Sequence, residues 1–238
     1  GCVDETAELA AAARCELIVL ATPVGAMFDL LHRLAAVAER GTVVTDVGST
    51  KQTIVAEAER VLPEPGRFVG SHPMAGSERG GPDHASAALF RDKPVAVTPT
   101  ERTDGEAAAQ VERLWRLLGM SVHRIAPADH DRAVARLSHL PHALSVLLMQ
   151  QAHRSPGLEL ASTGLADMTR IAAGDPALWA DIFIDNADAV LDACDEHQQL
   201  LDAFRRVVGE GDRGRLLEML DSARAARLDW QGQRSDEP

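Results

Sequence analysis

The chain has 238 residues, a length that fits one large domain or two modest ones at roughly 100–200 residues each. Hydrophobic residues make up 45%, aromatics only 3%, and tyrosine is absent, so aliphatic side chains must fill the core. The formal charge of -12 argues against nucleic acid or an anionic membrane surface as partner, since both need positive potential, but it leaves room for a small anion met by a local Arg or Lys.

Cys2, Cys15 and Cys194 form neither a disulfide framework nor a CxxC pair, so no metal site is expected and a reducing, cytoplasmic setting is the plain reading. No apolar run approaches the ~20 residues of a membrane helix, and no signal peptide is visible. The chain opens at Gly1-Cys2 without an initiator Met, which reads as a fragment or a processed product.

In chain order, Leu17–Ala21 is an apolar run closed by Thr22-Pro23, and Thr42–Thr45 is a second, closed by Asp46-Val47-Gly48-Ser49. Phe68-Val69-Gly70 leads into Ser71-His72-Pro73, Pro94–Val97 ends at Thr98-Pro99, and 121–125 is a last strand. Helical patterns fill 25–39, 51–62 and 104–118 between them. Strands buried on both faces read as such runs, and the alternation predicts a parallel sheet with crossover helices.

From about Pro127 only helices follow. Ala133, Leu137, Leu140, Leu144 and Leu147 form one stripe. Phe183, Ala187, Val190, Cys194, His197, Leu201, Phe204 and Val208 form a heptad seam, read as helix–helix packing either within the domain or across a dimer. The fold class is therefore α/β followed by all-α: a partial Rossmann-like sheet domain over 1–126 and a helical domain over 127–238.

Gly209-Glu210-Gly211-Asp212-Arg213-Gly214 fits GxGxxG literally. The fingerprint works when a strand delivers its glycines to a helix N-terminus facing a pyrophosphate. Here a helical pattern precedes it and two carboxylates sit inside it, so it reads as an inter-helix turn. No other stretch fits, and the sheet reads as truncated on its phosphate side.

Ligands of open α/β sheets sit at the carboxyl ends of the strands. Those ends supply Thr22, Pro23, Val24, Asp46, Gly48 and Ser49 as candidate cofactor residues. His72 stands at one such end, with Ser71, Ser77 and Glu78 nearby. It is either a proton-transfer group, for which its ordinary pKa near 6.5 suits it, or a loop histidine bonded to backbone. Ser49 is either a ligand or His72 partner, or the N-cap of the helix that starts near Lys51. His139 and His142 share one helical face opposite the Leu137/Leu144 stripe; that face is either solvated or part of a site, and Pro141 between them predicts a kink. Arg170 is either a carboxylate fork or half of a salt bridge with Asp167 or Asp175.

Taken together, several segments resemble the prephenate/arogenate dehydrogenase family of tyrosine biosynthesis. They are Ala21-Thr22-Pro23-Val24, Thr45–Lys51, and Gly70-Ser71-His72-Pro73-Met74-Ala75-Gly76-Ser77-Glu78, followed by Asp129-His130-Asp131, Leu137–His142, Thr169–Ala172 and Trp179–Phe183. The match runs in order over nearly the whole chain. The resemblance implies a dinucleotide-binding domain, a helical dimerisation domain and a homodimer. It also implies oxidative decarboxylation of prephenate or arogenate with NAD or NADP. In its terms His72 accepts the proton of the substrate hydroxyl, and Ser49 supports His72 and the nicotinamide. Arg170 binds a substrate carboxylate, His139 and His142 line the pocket with Gly164, and Glu78 lies near its polar gate. Ala166 stands where many relatives carry a basic residue, so a charged partner for Glu78 does not carry over. Two other readings stay open: a β-hydroxyacid dehydrogenase, which would need a helix-borne lysine when only Lys51 and Lys93 are present, and a truncated, non-catalytic dimerising product.

Overall fold

The computed structural model describes residues 4–76 and 85–235. Among these, five strands form one sheet in the order β1 (Leu17–Leu20), β2 (Val43–Asp46), β3 (Phe68–Pro73), β4 (Pro94–Thr98) and β5 (Ser121–Arg124). The helices are α1 (Leu9–Ala12), α2 (Val24–Ala35), α3 (Gln52–Val61), α4 (Gly105–Leu117), α5 (Pro127–Val134), α6 (Leu140–His153), α7 (Thr163–Thr169), α8 (Pro176–Asp185), α9 (Ala187–Glu210) and α10 (Arg213–Ser235). Strand–helix alternation gives way to helices alone between β5 and Pro127, which opens α5 at a position that needs no N–H partner. By contacts the chain divides into a unit through Val190 and a second unit from Leu191.

The continuous apolar strands are covered on both faces, because successive residues point to opposite sides. On one face Leu20, Val44 and Phe68 pack with Met27, Leu31 and Leu34 of α2 and with Ile54 and Ala58 of α3. On the other, Val43, Val69, Val95 and Val97 pack with Ala107, Val111 and Trp115 of α4. Burying each of these large side chains stabilises the fold by about 1.5–3 kcal/mol.

The sheet is parallel except at one pair. β1 with β2, β2 with β3 and β4 with β5 run parallel, whereas β3 and β4 run antiparallel, Gly70 facing Thr98 and Pro73 facing Val95. An all-parallel expectation fails here because a parallel pair needs a crossover, usually helical, and no helix forms among the described residues between β3 and β4.

In the first unit α8 stops at Asp185, with Asn186 leaving helical geometry. The heptad seam is therefore interrupted, and Phe183 lies on a different helix from Ala187–Val208. In the second unit Ala193 and Val207 are buried, while Leu201, Phe204 and Val208 are exposed. The GxGxxG look-alike is the turn between α9 and α10, with Gly211 at φ +68°.

Candidate active site

The strand ends build the site from beneath. Asp46 closes β2 and is fully buried. Its carboxylate accepts from the N–H of Gly48 at 2.8 Å and of Ser71 at 3.0 Å, and it pairs with the ammonium of Lys51. Lys51 is also fully buried, and burial lowers its pKa while Asp46, Asp131 and Asp185 pull it back up. A Cβ on Gly48 would lie 2.9 Å from the Asp46 carboxylate, so the 46–51 loop admits only glycine there without a shift. Asp46, one of the expected cofactor contacts, has Oδ2 engaged by Gly48 and Lys51 and Oδ1 by the Ser71 N–H of β3. Ser71 adds a second brace: its hydroxyl donates to Asp46 O at 2.6 Å and accepts from Trp115 Nε1 at 3.0 Å.

His72 follows Ser71 on β3 and is partly buried. Its Nδ1 lies 3.0 Å from His130 Nε2, the two rings meeting edge to face at 71°. His130 Nδ1 lies 2.7 Å from Asp131 Oδ1. Burial, then the neighbouring His130, Lys51 and His139, hold His72 well below its ordinary pKa of 6.5. The imidazole is therefore neutral near neutral pH, the state a proton acceptor needs. His72 and Ser49 line one cleft of about 410 Å³, together with Val19, Val47, Phe90 and Trp115.

The N-cap alternative for Ser49 does not hold. Helix α3 starts at Gln52, and its leading N–H groups, those of Lys51 and Gln52, both donate at 2.8 Å to the carboxylate of Asp131. A residue some 80 positions further along the chain thus caps the helix, which frees the Ser49 hydroxyl for the cleft.

His139 and His142 lie on a buried face, against the solvated alternative: they are 1% and 3% exposed, while Leu137 of the opposite stripe is 77% exposed. The chain between α5 and α6 forms a π-helical segment, Ala135–His139, just ahead of Pro141. The irregularity anticipated at the proline therefore falls in the turn before it, and such bulges recur at functional sites. His139 Nδ1 is 3.2 Å from Asn186 Nδ2, which also donates to Asp131 O at 2.9 Å. Burial lowers His139 to about 4, with Asp131 opposing and His130 and His142 adding to the shift. His142 stacks on Trp179 at 3.5 Å and 11°, and its buried Nδ1 has no partner. A Cβ on Gly174 would sit 2.8 Å from Trp179 Nε1, so that glycine keeps the stack closed.

The other candidate residues are placed as follows. Thr22 lies two residues beyond β1 with its hydroxyl buried and unpartnered, Pro23 precedes α2, and Val24 is buried in its first turn. Arg170 opens an exposed 3-10 turn, Arg170–Ala173, that packs against α6. Gly164 is exposed in α7, with open space beside it. The Asp175 carboxylate caps α8 by accepting from Ala177 and Leu178. Ser77 and Glu78 lie outside the described residues. No group of three potential metal ligands occurs among the described residues. Sequence reasoning gave no separate role to His130, Asp131, Asn186 or Trp179, because only the packing of α5 and α8 brings them beside His72 and His142.

A mostly parallel sheet covered by helices on both faces, with a histidine pair at the carboxyl end of β3, has the architecture of nucleotide-binding α/β proteins. Residues 1–124 match the family described as prephenate dehydrogenase, nucleotide-binding domain, and residues 126–222 match prephenate dehydrogenase, dimerization domain. The chain belongs to the prephenate dehydrogenase family. It is 35% identical to the prephenate dehydrogenase of Bacillus subtilis over 95% of its own length and 63% of that protein's. It is 32% identical to the cyclohexadienyl dehydrogenase of Zymomonas mobilis, over 90% and 74% respectively. Among solved structures it resembles prephenate dehydrogenase from Aquifex aeolicus, crystallised with hydroxyphenyl propionate and NAD+, at a TM-score of 0.88 and 30% identity, over 94% of this chain and 80% of that one. Synechocystis arogenate dehydrogenase follows at a TM-score of 0.82 and 30% identity, over 94% and 82%. The chain spans just under two thirds of the length of the Bacillus relative.

Proposed function

We propose that this chain carries the proton acceptor and substrate-binding parts of an oxidative decarboxylation of prephenate or arogenate, with NAD or NADP as cofactor. The carrying observation is His72, a neutral imidazole at the end of β3 with one nitrogen engaged by His130, on the same cleft as Ser49. The unpartnered Thr22 hydroxyl and the Ser49 hydroxyl on the cleft fit the polar edge of a nicotinamide. Thr22, Pro23, Val24, Gly48 and Ser49 would hold that cofactor, which supplies the hydride acceptor when bound.

His72 takes the proton of the substrate's ring hydroxyl as a carbonyl develops there, help typically worth about 10²–10⁴-fold. Arg170 offers a planar fork to a carboxylate. His139 and His142, packed against Trp179, would line the substrate side of the site together with Gly164, and Glu78 keeps the role that the family resemblance gives it. The β-hydroxyacid reading is disfavoured, because Lys51 is buried against Asp46 and Lys93 is exposed ahead of β4, so neither offers a helix-borne acid to the cleft.

The domain division is placed at 126/127, giving 1–126 for the sheet and 127–238 for the helical part. Homodimerisation through the helical part would cover apolar side chains exposed on the second unit, Leu200, Leu201, Phe204, Leu217 and Leu220 among them. The cytoplasm is the proposed compartment, where free thiols such as the exposed Cys15 stay reduced.

The test is turnover of both substrates with either cofactor, comparing the unaltered chain with His72→Asn. The substitution should lower kcat by about 10²–10⁴-fold with little change in KM. Unchanged kcat would remove His72 from the chemistry. No turnover together with no NAD binding would leave a non-catalytic dimerising chain.

A further inference from the structure

Two side chains beside His72, His130 and Asp131, are 2% and 4% exposed and stand behind it rather than among the residues that line the cleft. Asp131 meets only donors: Oδ1 takes the Lys51 N–H at 2.8 Å and His130 Nδ1 at 2.7 Å, and Oδ2 takes the Gln52 N–H at 2.8 Å. Held at the positive end of α3, this carboxylate can only accept. His130 Nδ1 must then carry the ring's hydrogen, which leaves Nε2 as its accepting nitrogen. That nitrogen is the atom 3.0 Å from His72 Nδ1, so His72 must be the donor between them.

We infer that His130 and Asp131 are positioning residues that hold His72 in its Nδ1–H tautomer, so that Nε2 is the nitrogen that accepts the proton. The relay Asp131–His130–His72 extends by one ring the arrangement in which a carboxylate sets a catalytic histidine's tautomer. When Nε2 takes the substrate proton, Nδ1–H stays on His72 and its bond to His130 strengthens; no proton need reach Asp131. The groups acting electrostatically on His72 are His130 from α5, Lys51 from the loop before α3, and His139 from the π-helical turn. All three are cationic when protonated, so the relay is the route by which a carboxylate favours the protonated base. The catalytic consequence rests on the proposed function; the tautomer does not.

The tautomer is read by nitrogen-15 NMR of histidine-labelled chain at a pH above 6.5, without substrate or cofactor. His72 should show a protonated Nδ1 and an unprotonated Nε2. His130→Phe fills the space without an acceptor and should mix the two tautomers. His130→Gln, which keeps an acceptor near the Nε2 position, should restore the Nδ1–H form; a purely space-filling role would not separate Phe from Gln. Asp131→Asn cannot accept from all three donors and should also mix the forms. In turnover, His130→Phe should lower kcat about 10-fold or more, part of the effect typical of a positioned base, with KM held and with activity recovered in His130→Gln. An Nε2–H tautomer in the unaltered chain, or an Nδ1–H form unchanged in folded His130→Phe, would overturn the inference. The stated tautomer without turnover of either substrate would instead sink the proposed function and leave the relay standing.

Discussion

His139 is 1% exposed, and burial lowers its pKa from 6.5 to about 4. An unfolded chain binds that proton first as the pH falls, so the neutral buried form contributes stability above 6.5 that is lost as the pH drops through the folded value. The full difference is roughly 3 kcal/mol, of which about 1 kcal/mol is already lost between about pH 7.5 and 5.5. His139→Asn removes the titration while keeping an acceptor near Nδ1 for Asn186. Urea unfolding at those two pH values, followed by Trp115 and Trp179 fluorescence in a Trp230→Phe background, measures the effect. His72 and His142 also have lowered values and remain in both chains, so their shared contribution cancels. The unaltered chain should lose about 1 kcal/mol more than His139→Asn over this interval. Equal losses in the two chains would refute the assignment of a buried, neutral His139.

Two further substitutions probe other parts of the site. Asp46→Ala leaves the Lys51 ammonium buried without its partner and should destabilise the chain by about 3–5 kcal/mol, whereas replacing both residues with apolar ones of similar volume should recover much of that; chemical denaturation distinguishes the two. Arg170→Ala should raise KM for the dianionic substrate about tenfold or more, the worth of a charge-assisted hydrogen bond, and a normal KM would remove Arg170 from the binding site.

The strands and the helices between them were legible because their signals are local. Val43-Val44 and Phe68-Val69 are apolar on both faces, and each crossover helix carries one apolar stripe. The antiparallel β4 was less visible, since its own residues read as any buried strand and only the absence of a helical pattern before it marks the reversal. His72 and Ser49 stood out by position at strand ends. Their support did not: the cap on α3 comes from Asp131, and no spacing rule links residues so far apart. Likewise the polarity of His139 and His142 suggested solvent, whereas both pack against Trp179 on α8, His139 edge-on and His142 stacked.

One carboxylate, that of Asp131, holds both the leading amides of α3 and the ring next to His72. Lys51 and Gln52 therefore keep their amide protection only while α5 stays seated on the sheet, and hydrogen exchange at those two backbone sites would report on the readiness of the histidine pair. Such coupling makes the site late to assemble. The sheet and its crossover helices can form from nearby contacts, but the histidine pair must wait for closure across 58 residues and the cap on α3 for closure across nearly 80. A chain that unfolds locally at α5 would lose its helix cap and its proton acceptor's alignment in a single opening event.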